Sequence, residues 1–188
     1  MSFYIEKTTK CPICEKVIDS FKESVLLPYI LSDQNSTFTY FVKSYVHRNC
    51  FDNWNKHNDF VQSSFGLGEK MIQDGYYENA ILHDKYFIID YKKQENFYQI
   101  IDFYSIFEMN INIEQAKKVY DFLEKRLKGD NTLLKFGNLV FNKKNRNVMV
   151  TDYDGDKIND EVTIPQSRIN DYITALNYIL QHSEQKNI

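Results

Sequence analysis

The sequence predicts an α+β protein, and three observations predict it. A Cys-x-x-Cys at Cys11 and Cys14 is answered, 32 residues further on, by a His-x-x-Cys at His47 and Cys50. From residue 85 onward, short β-prone segments alternate with polar turns, the pattern of an antiparallel sheet. Two stretches there, 114–128 and 165–184, carry apolar residues at helical spacing. The expected layout is a metal-binding module over residues 1–60, a bridge over 61–84, and a sheet domain with two helices over 85–188.

Composition agrees with that layout. The chain has 188 residues, 43% hydrophobic and 26% charged, with a net charge of −3, values of a globular rather than a disordered chain. This length fits one ordinary domain, or one domain with a small appendage that needs a staple. The longest apolar run, Val25-Leu26-Leu27-Pro28-Tyr29-Ile30-Leu31, stops far short of the roughly 18 residues of a membrane helix. The opening Met1-Ser2-Phe3-Tyr4-Ile5-Glu6-Lys7 lacks the basic region and apolar core of a secretory signal. Neither a membrane span nor signal-directed export is expected. Three cysteines without such a signal point to a reducing cytoplasm and away from a disulfide framework.

All three cysteines fall in the two ligand pairs. Cys11, Cys14, His47 and Cys50 supply three sulfurs and one imidazole, a complete tetrahedral set for structural zinc. Ligands at i and i+3 can face one ion, in a knuckle stiffened by Pro12 or in the first turn of a helix. A redox Cys-x-x-Cys or inert core thiols are the other readings, but a redox pair sits in a βαβ pattern absent here and leaves His47 and Cys50 as coincidence. His57, His83 and His182 have no comparable partners and read as ordinary surface or core histidines.

Cys11-Pro12-Ile13-Cys14-Glu15-Lys16-Val17-Ile18 resembles the zinc knuckle that opens a treble-clef finger, and Tyr45-Val46-His47-Arg48-Asn49-Cys50-Phe51 resembles the start of that finger's helix. The stretch is similar to LIM-type fingers and closer to small bacterial proteins reading C-P-I-C then H-R-x-C-F. The 32-residue gap between the ligand pairs is longer than in LIM modules. The resemblance implies a hairpin after the knuckle and a helix whose first turn donates the last two ligands. Residues 24–31 and 37–46 are the β-prone segments for the hairpin, Ser32-Asp33-Gln34-Asn35-Ser36 is its turn, and 49–57 can be the helix. His47, Asn53 and His57 also echo the spacing of HNH nucleases, but His47 is already claimed by the cysteines.

In the bridge, Ser63-Ser64-Phe65-Gly66-Leu67-Gly68 reads as a loop, followed by a short helix over 69–77. Beyond it, the pattern forms two similar units, 85–129 and 133–184. Strands are expected at 86–91, 97–103 and 104–113, then a helix over 114–128 with Ala116, Val119, Tyr120, Leu123 and Leu127 on one face. Strands at 138–141, 147–151 and 161–164 follow, and Pro165 opens a helix carrying Ile169, Tyr172, Ile173, Leu176 and Leu180. This is a meander closed by a helix, twice, consistent with duplication. A sheet with both helices on one face leaves its other face to water or a partner.

Residues 1–60 carry seven Lys+Arg and seven Asp+Glu; residues 61–188 carry 16 and 19, a poor footprint for nucleic acid. Against that, 14 Tyr and 14 Phe could stack on bases, and the tandem layout resembles Whirly-type or purine-element-binding repeats, which bind single strands. The run Asp152-Tyr153-Asp154-Gly155-Asp156-Lys157-Ile158-Asn159-Asp160 resembles repeat-protein Ca2+ loops, but it occurs once, with Lys157 where glycine is preferred; a hairpin turn is the better reading. No nucleophile–base or Walker motif is present, so no enzyme is expected. The expectation is a zinc-binding protein with a protein partner, either an immunity or inhibitor protein neutralising a basic toxin or effector, or an adaptor. A single-stranded nucleic-acid binder is the alternative, and an HNH-like metal-dependent nuclease the third.

Overall fold

The computed structural model describes residues 4–5, 7–28, 38, 40–77, 79–84, 86–127, 133–144, 147–154 and 157–185. The chain divides into two compact units, one of Met1–Tyr76 with Asp102–Ile106, the other of Tyr77–Ile101 with Phe107–Ile188.

In the first unit, an antiparallel bridge between Lys10 and Val17 closes a turn around Cys11 and Cys14. A 3-10 turn, Phe21–Glu23, leads into β1 (Ser24–Leu26), which pairs antiparallel with β2 (Tyr45–His47). The short helix α1 (Arg48–Asp52) follows β2 without a gap, and α2 (His57–Gln73) completes the unit. The strand expected over 37–46 begins only at Tyr45. Phe38 and 40–43 form a turn instead, with the Phe41 and Val42 amides donating to the Phe38 carbonyl. Aromatic packing accounts for this: the turn sets Phe41 4.6 Å from Trp54, and Phe38 5.8 Å from Trp54 and 5.5 Å from Phe60. Burying those rings outweighs local β-propensity. The turn expected at Ser32–Ser36 lies outside the described residues.

Helix α2 overturns the loop expected at 63–68. His57, Phe60, Val61, Ser64 and Gly68 are buried at helical spacing, so the two glycines lie within a continuous helix. Each interior glycine costs about 1 kcal/mol, less than the burial of Phe60 and Val61 provides. The helix expected at 69–77 is the last turn of α2. Its stop is explicit: Gly75 takes φ 80, its amide donates to the Ile72 carbonyl, and the Tyr76 amide donates to that of Met71. This is a Schellman cap, which favours glycine because a left-handed residue with a Cβ is strained.

The second unit repeats one order of elements. Strands β3 (Ala80–Asp84), β4 (Phe87–Lys92), β5 (Phe97–Asp102) and β6 (Phe107–Ile111) form an antiparallel sheet in sequence order, followed by α3 (Ile113–Leu127). Strands β7 (Leu133–Phe136), β8 (Leu139–Lys144), β9 (Asn147–Asp154) and β10 (Lys157–Ile164) form a second such sheet, followed by α4 (Gln166–Gln185). The α+β class is as expected, with two four-stranded sheets in place of one. Strands β3 and β7 were not anticipated. Each is an edge strand paired on one side only, and β7 leaves Leu133 and Lys135 exposed, so little burial shapes its sequence.

One apolar cluster joins the two sheets and both helices. Tyr98 and Ile100 of β5 and Phe107, Met109 and Ile111 of β6 meet Phe141, Val148, Val150, Val162 and Ile164 from the other sheet. Helix α3 adds Ala116, Val119, Phe122 and Leu123, and α4 adds Ile169, Tyr172, Ala175, Leu176 and Ile179. Phe122 and Ile179 were missing from the expected stripes; the side chain of Leu127 lies outside the described ones. In the run 152–160, Asp152 lies opposite Asp160 on the ladder between β9 and β10, and Asn138 donates its amide to Asp152. Gly155 and Asp156 lie outside the described residues.

Gly66 sits inside α2 with open space where a Cβ would project. Gly66→Ala is expected to stabilise the protein by about 0.5–1 kcal/mol, raising the urea midpoint read by Trp54 fluorescence. A lower midpoint would contradict a continuous helix here.

Candidate metal centre

The first two ligand candidates are set by a backbone knuckle. The Cys11 amide donates to the Lys16 carbonyl at 2.9 Å, and the Glu15 amide donates to the Cys11 carbonyl at 2.7 Å. Glu15 takes φ 62, a left-handed conformation that costs a residue with a Cβ about 1 kcal/mol. The knuckle tolerates that cost because the reversal turns both sulfurs to one side.

The second pair lies where a strand becomes a helix. His47 closes β2 and, with φ −61 and ψ 137, is the extended residue that caps α1; Cys50 is in that helix's first turn. The i, i+3 spacing then places both side chains on one face. Cys11 is fully buried, and Cys14, His47 and Cys50 are partly exposed.

The ligand atoms of Cys11, Cys14, His47 and Cys50 all lie within 4.8 Å of one another. His47 Nδ1 is 3.4 Å from the Cys14 sulfur and 3.8 Å from that of Cys50. An ion with sulfur at about 2.3 Å and nitrogen at about 2.0–2.1 Å in tetrahedral array places such atoms about 3.6 Å apart, a spacing these two contacts bracket. The other ring nitrogen fixes the tautomer. His47 Nε2 stands 3.2 Å from the Val17 carbonyl, so it carries the proton and donates it, and Nδ1 turns a lone pair on the sulfurs. Val17 belongs to the knuckle's closing bridge, so one hydrogen bond ties the two halves of the cluster.

The sulfurs are electrostatically unequal. Burial pushes the Cys50 thiol up to about 12, helped by hydrogen bonding to Cys14 and by the charges of Cys11 and Cys14. Burial also raises Cys14, but hydrogen bonds from the Lys16 backbone and then from Cys50, Cys11 and His47 bring it down to about 7. One thiolate is therefore accommodated readily and a second is resisted, the behaviour of a thiol cluster that needs a cation's charge to ionise fully.

Three further features support α1, and two of them, Arg48 and Phe51, lie in the His-Arg-x-Cys-Phe motif. Arg48, inside the His-x-x-Cys, donates from a guanidinium nitrogen to the Ser105 carbonyl. Phe51 is fully buried, its ring 4.6 Å from that of His57. His57, read from sequence as ordinary, is buried and donates Nε2–H to the Tyr104 carbonyl at 3.1 Å. Nothing in the sequence places 102–106 beside the cluster. His182 lies 6.2 Å from the rings of Tyr91 and Tyr98, and the side chain of His83 is outside the described ones.

These residues define a Cys3His cluster able to hold a metal ion, carried by an α+β protein. No protein-family model, no curated protein and no solved structure matches the chain.

The metal affinity should depend on pH. With its pKa at about 12, Cys50 is protonated at neutral pH, and an ion binding the thiolate displaces that proton. Affinity therefore rises with pH, about tenfold per unit for each proton displaced. Competition against a chromophoric chelator between about pH 6.5 and 8 reads this, and a flat profile would remove Cys50 from the ligand set.

Proposed function

We propose that this is a non-catalytic zinc-binding protein, in which one structural Zn2+ closes a treble-clef-like finger and a protein partner is the target. The observation that carries the zinc reading is that three sulfurs and His47 Nδ1 converge within 4.8 Å of one another, with Nε2 tied to Val17. A set of three thiolates and one imidazole suits Zn2+ over hard cations. The order of knuckle, antiparallel strand pair and helix supports the treble-clef type. Four protein ligands leave no position open for water or a phosphate, which fits a structural ion. An HNH-like role is disfavoured because a general base needs a free histidine nitrogen, and both of those of His47 are engaged.

A protein target is supported by the acidic balance of residues 61–188 and by apolar surface on the first unit. Tyr4, Phe21 and Tyr45 pack ring to ring at 5.4–5.8 Å, and Phe21 and Leu26 stay 46% and 43% exposed. An aromatic anchor on a mildly acidic protein suits a basic partner, as for a bacterial immunity protein and its toxin, or an adaptor.

Elemental analysis of the purified protein is expected to give about one zinc per chain, with His47→Ala and Cys50→Ala losing both the ion and the folded-state emission of Trp54. No zinc in freshly reduced protein would overturn the finger. In a second measurement, the zinc-loaded protein is mixed with a basic protein encoded beside its gene, and separately with a single-stranded oligonucleotide. The expected result is a stable protein complex weakened by Phe21→Ala, and no oligonucleotide binding at physiological salt. Oligonucleotide retention that falls steeply with salt, with no protein complex, would replace this reading with nucleic-acid binding.

A further inference from the structure

Residues 102–106, which connect β5 to β6, belong to the first unit rather than to the unit that holds most of those two strands. They are anchored by side chains of α1 and α2. Arg48 stands between His47 and Cys50 in α1, and its guanidinium donates to the Ser105 carbonyl. Phe51 of the same helix packs at a tilt against His57, whose ring lies 4.6 Å from that of Tyr104 and whose Nε2–H is given to the Tyr104 carbonyl. Phe103 packs 5.7 Å from Phe65 of α2. Two successive carbonyls of one connection are thus held from α1 and from the histidine that α1 buttresses.

Two physical facts make this arrangement conditional. At five residues, α1 is far too short to persist on its own, so it depends on the ion that fixes its cap and first turn, and on the burial of Phe51. The connection itself is strained: Ile106 takes φ 48, a left-handed conformation that costs a β-branched residue about 1–3 kcal/mol and lasts only where the surroundings hold it. Ile106 directly precedes Phe107, the first residue of β6.

We infer that Arg48 and His57 form a clamp through which occupancy of the metal centre fixes the β5–β6 connection. With the ion bound, α1 is formed, the two carbonyls are held, and Ile106 is kept left-handed. With the ion removed, α1 is lost, the clamp opens, and 102–106 relaxes. The inference rests on the four-residue cluster holding an ion. Arg48 is a positioning residue, since it acts on the connection through the Ser105 carbonyl.

Hydrogen exchange read by mass spectrometry over peptides covering 103–106 tests this, with metal content measured on each sample. Three outcomes are expected. Chelation of the native protein speeds exchange there by about tenfold or more. Arg48→Ala does the same while zinc stays at its native stoichiometry and Trp54 emission is unchanged. Arg48→Lys, which keeps a cationic donor, restores part of the protection. Slow exchange at 103–106 after chelation, or in Arg48→Ala with zinc retained, would overturn the clamp. It would mean that the connection holds itself, through the Tyr104 amide bonded to Asp102 Oδ1 at 3.0 Å. Should Arg48→Ala fail to keep zinc, His57→Ala against His57→Gln gives the same comparison from the other carbonyl, because glutamine retains an N–H donor. A chain that holds no zinc would overturn both the metal reading and the coupling of the clamp to it, whereas zinc at one per chain with slow exchange in Arg48→Ala would overturn the clamp alone.

Discussion

Four ligand atoms from two chain segments 32 residues apart must arrive within 4.8 Å of one another, and much of the first unit is arranged around that convergence. Neither segment achieves it by regular secondary structure alone. The knuckle accepts a glutamate at φ 62 to turn Cys11 and Cys14 together. The other pair relies on a strand ending and a helix beginning at adjacent residues, so that His47 is at once the end of β2 and the cap of α1. The hydrogen bond from His47 Nε2 to Val17 then joins the two halves before any ion contributes. It also selects the tautomer, removing one obstacle to binding, while the high pKa of Cys50 leaves a proton for the cation to displace.

What surrounds the convergence is unusually aromatic. Phe38, Phe41, Phe51, Trp54, His57 and Phe60 interlock at ring separations from 4.6 to 6.0 Å. A module of this size has few interior positions, and large flat side chains fill it with the fewest residues. The same packing explains why the segment before β2 turns back on itself: Phe38 and Phe41 gain more from Trp54 and Phe60 than an extra pair of ladder hydrogen bonds would provide.

The Cys3His cluster able to hold a metal ion was legible because it depends on residue type and spacing, which a sequence displays directly. So were the second unit's helices and most of its strands: in β6, Phe107, Met109 and Ile111 alternate with exposed Glu108 and Asn110, and α4 carries Ile169, Tyr172 and Leu176 at helical intervals. Strands β3 and β7 were not legible; β7 has no fully buried residue, so burial writes no strong alternation into it, whereas β6, also an edge strand, buries every second residue. Helix α2 was misread for a different reason. Ser64 and Gly68 are turn residues by propensity, but here they are the small residues on a buried helix face, and only the packing partner reveals that role. His57 was passed over because its partner is a backbone carbonyl 47 residues away.

That long-range carbonyl bears on how the molecule is put together. A connection between adjacent strands of a meander usually needs nothing beyond its own turn chemistry, and Asp102 supplies some through the Tyr104 amide. Yet the next two carbonyls are taken by side chains from 47 and 57 residues earlier in the chain, and the following residue, Ile106, is held left-handed. A turn stable in isolation would place glycine or asparagine at such a φ. An isoleucine there means that the conformation is imposed from outside the turn, and the groups imposing it are the helix that carries Cys50 and the histidine packed against it. The strain at Ile106 is thus offset by order within the first unit. That order is built from the same short helix that carries Cys50, so the Cys3His cluster and the β5–β6 connection share supports within one unit despite their separation in sequence.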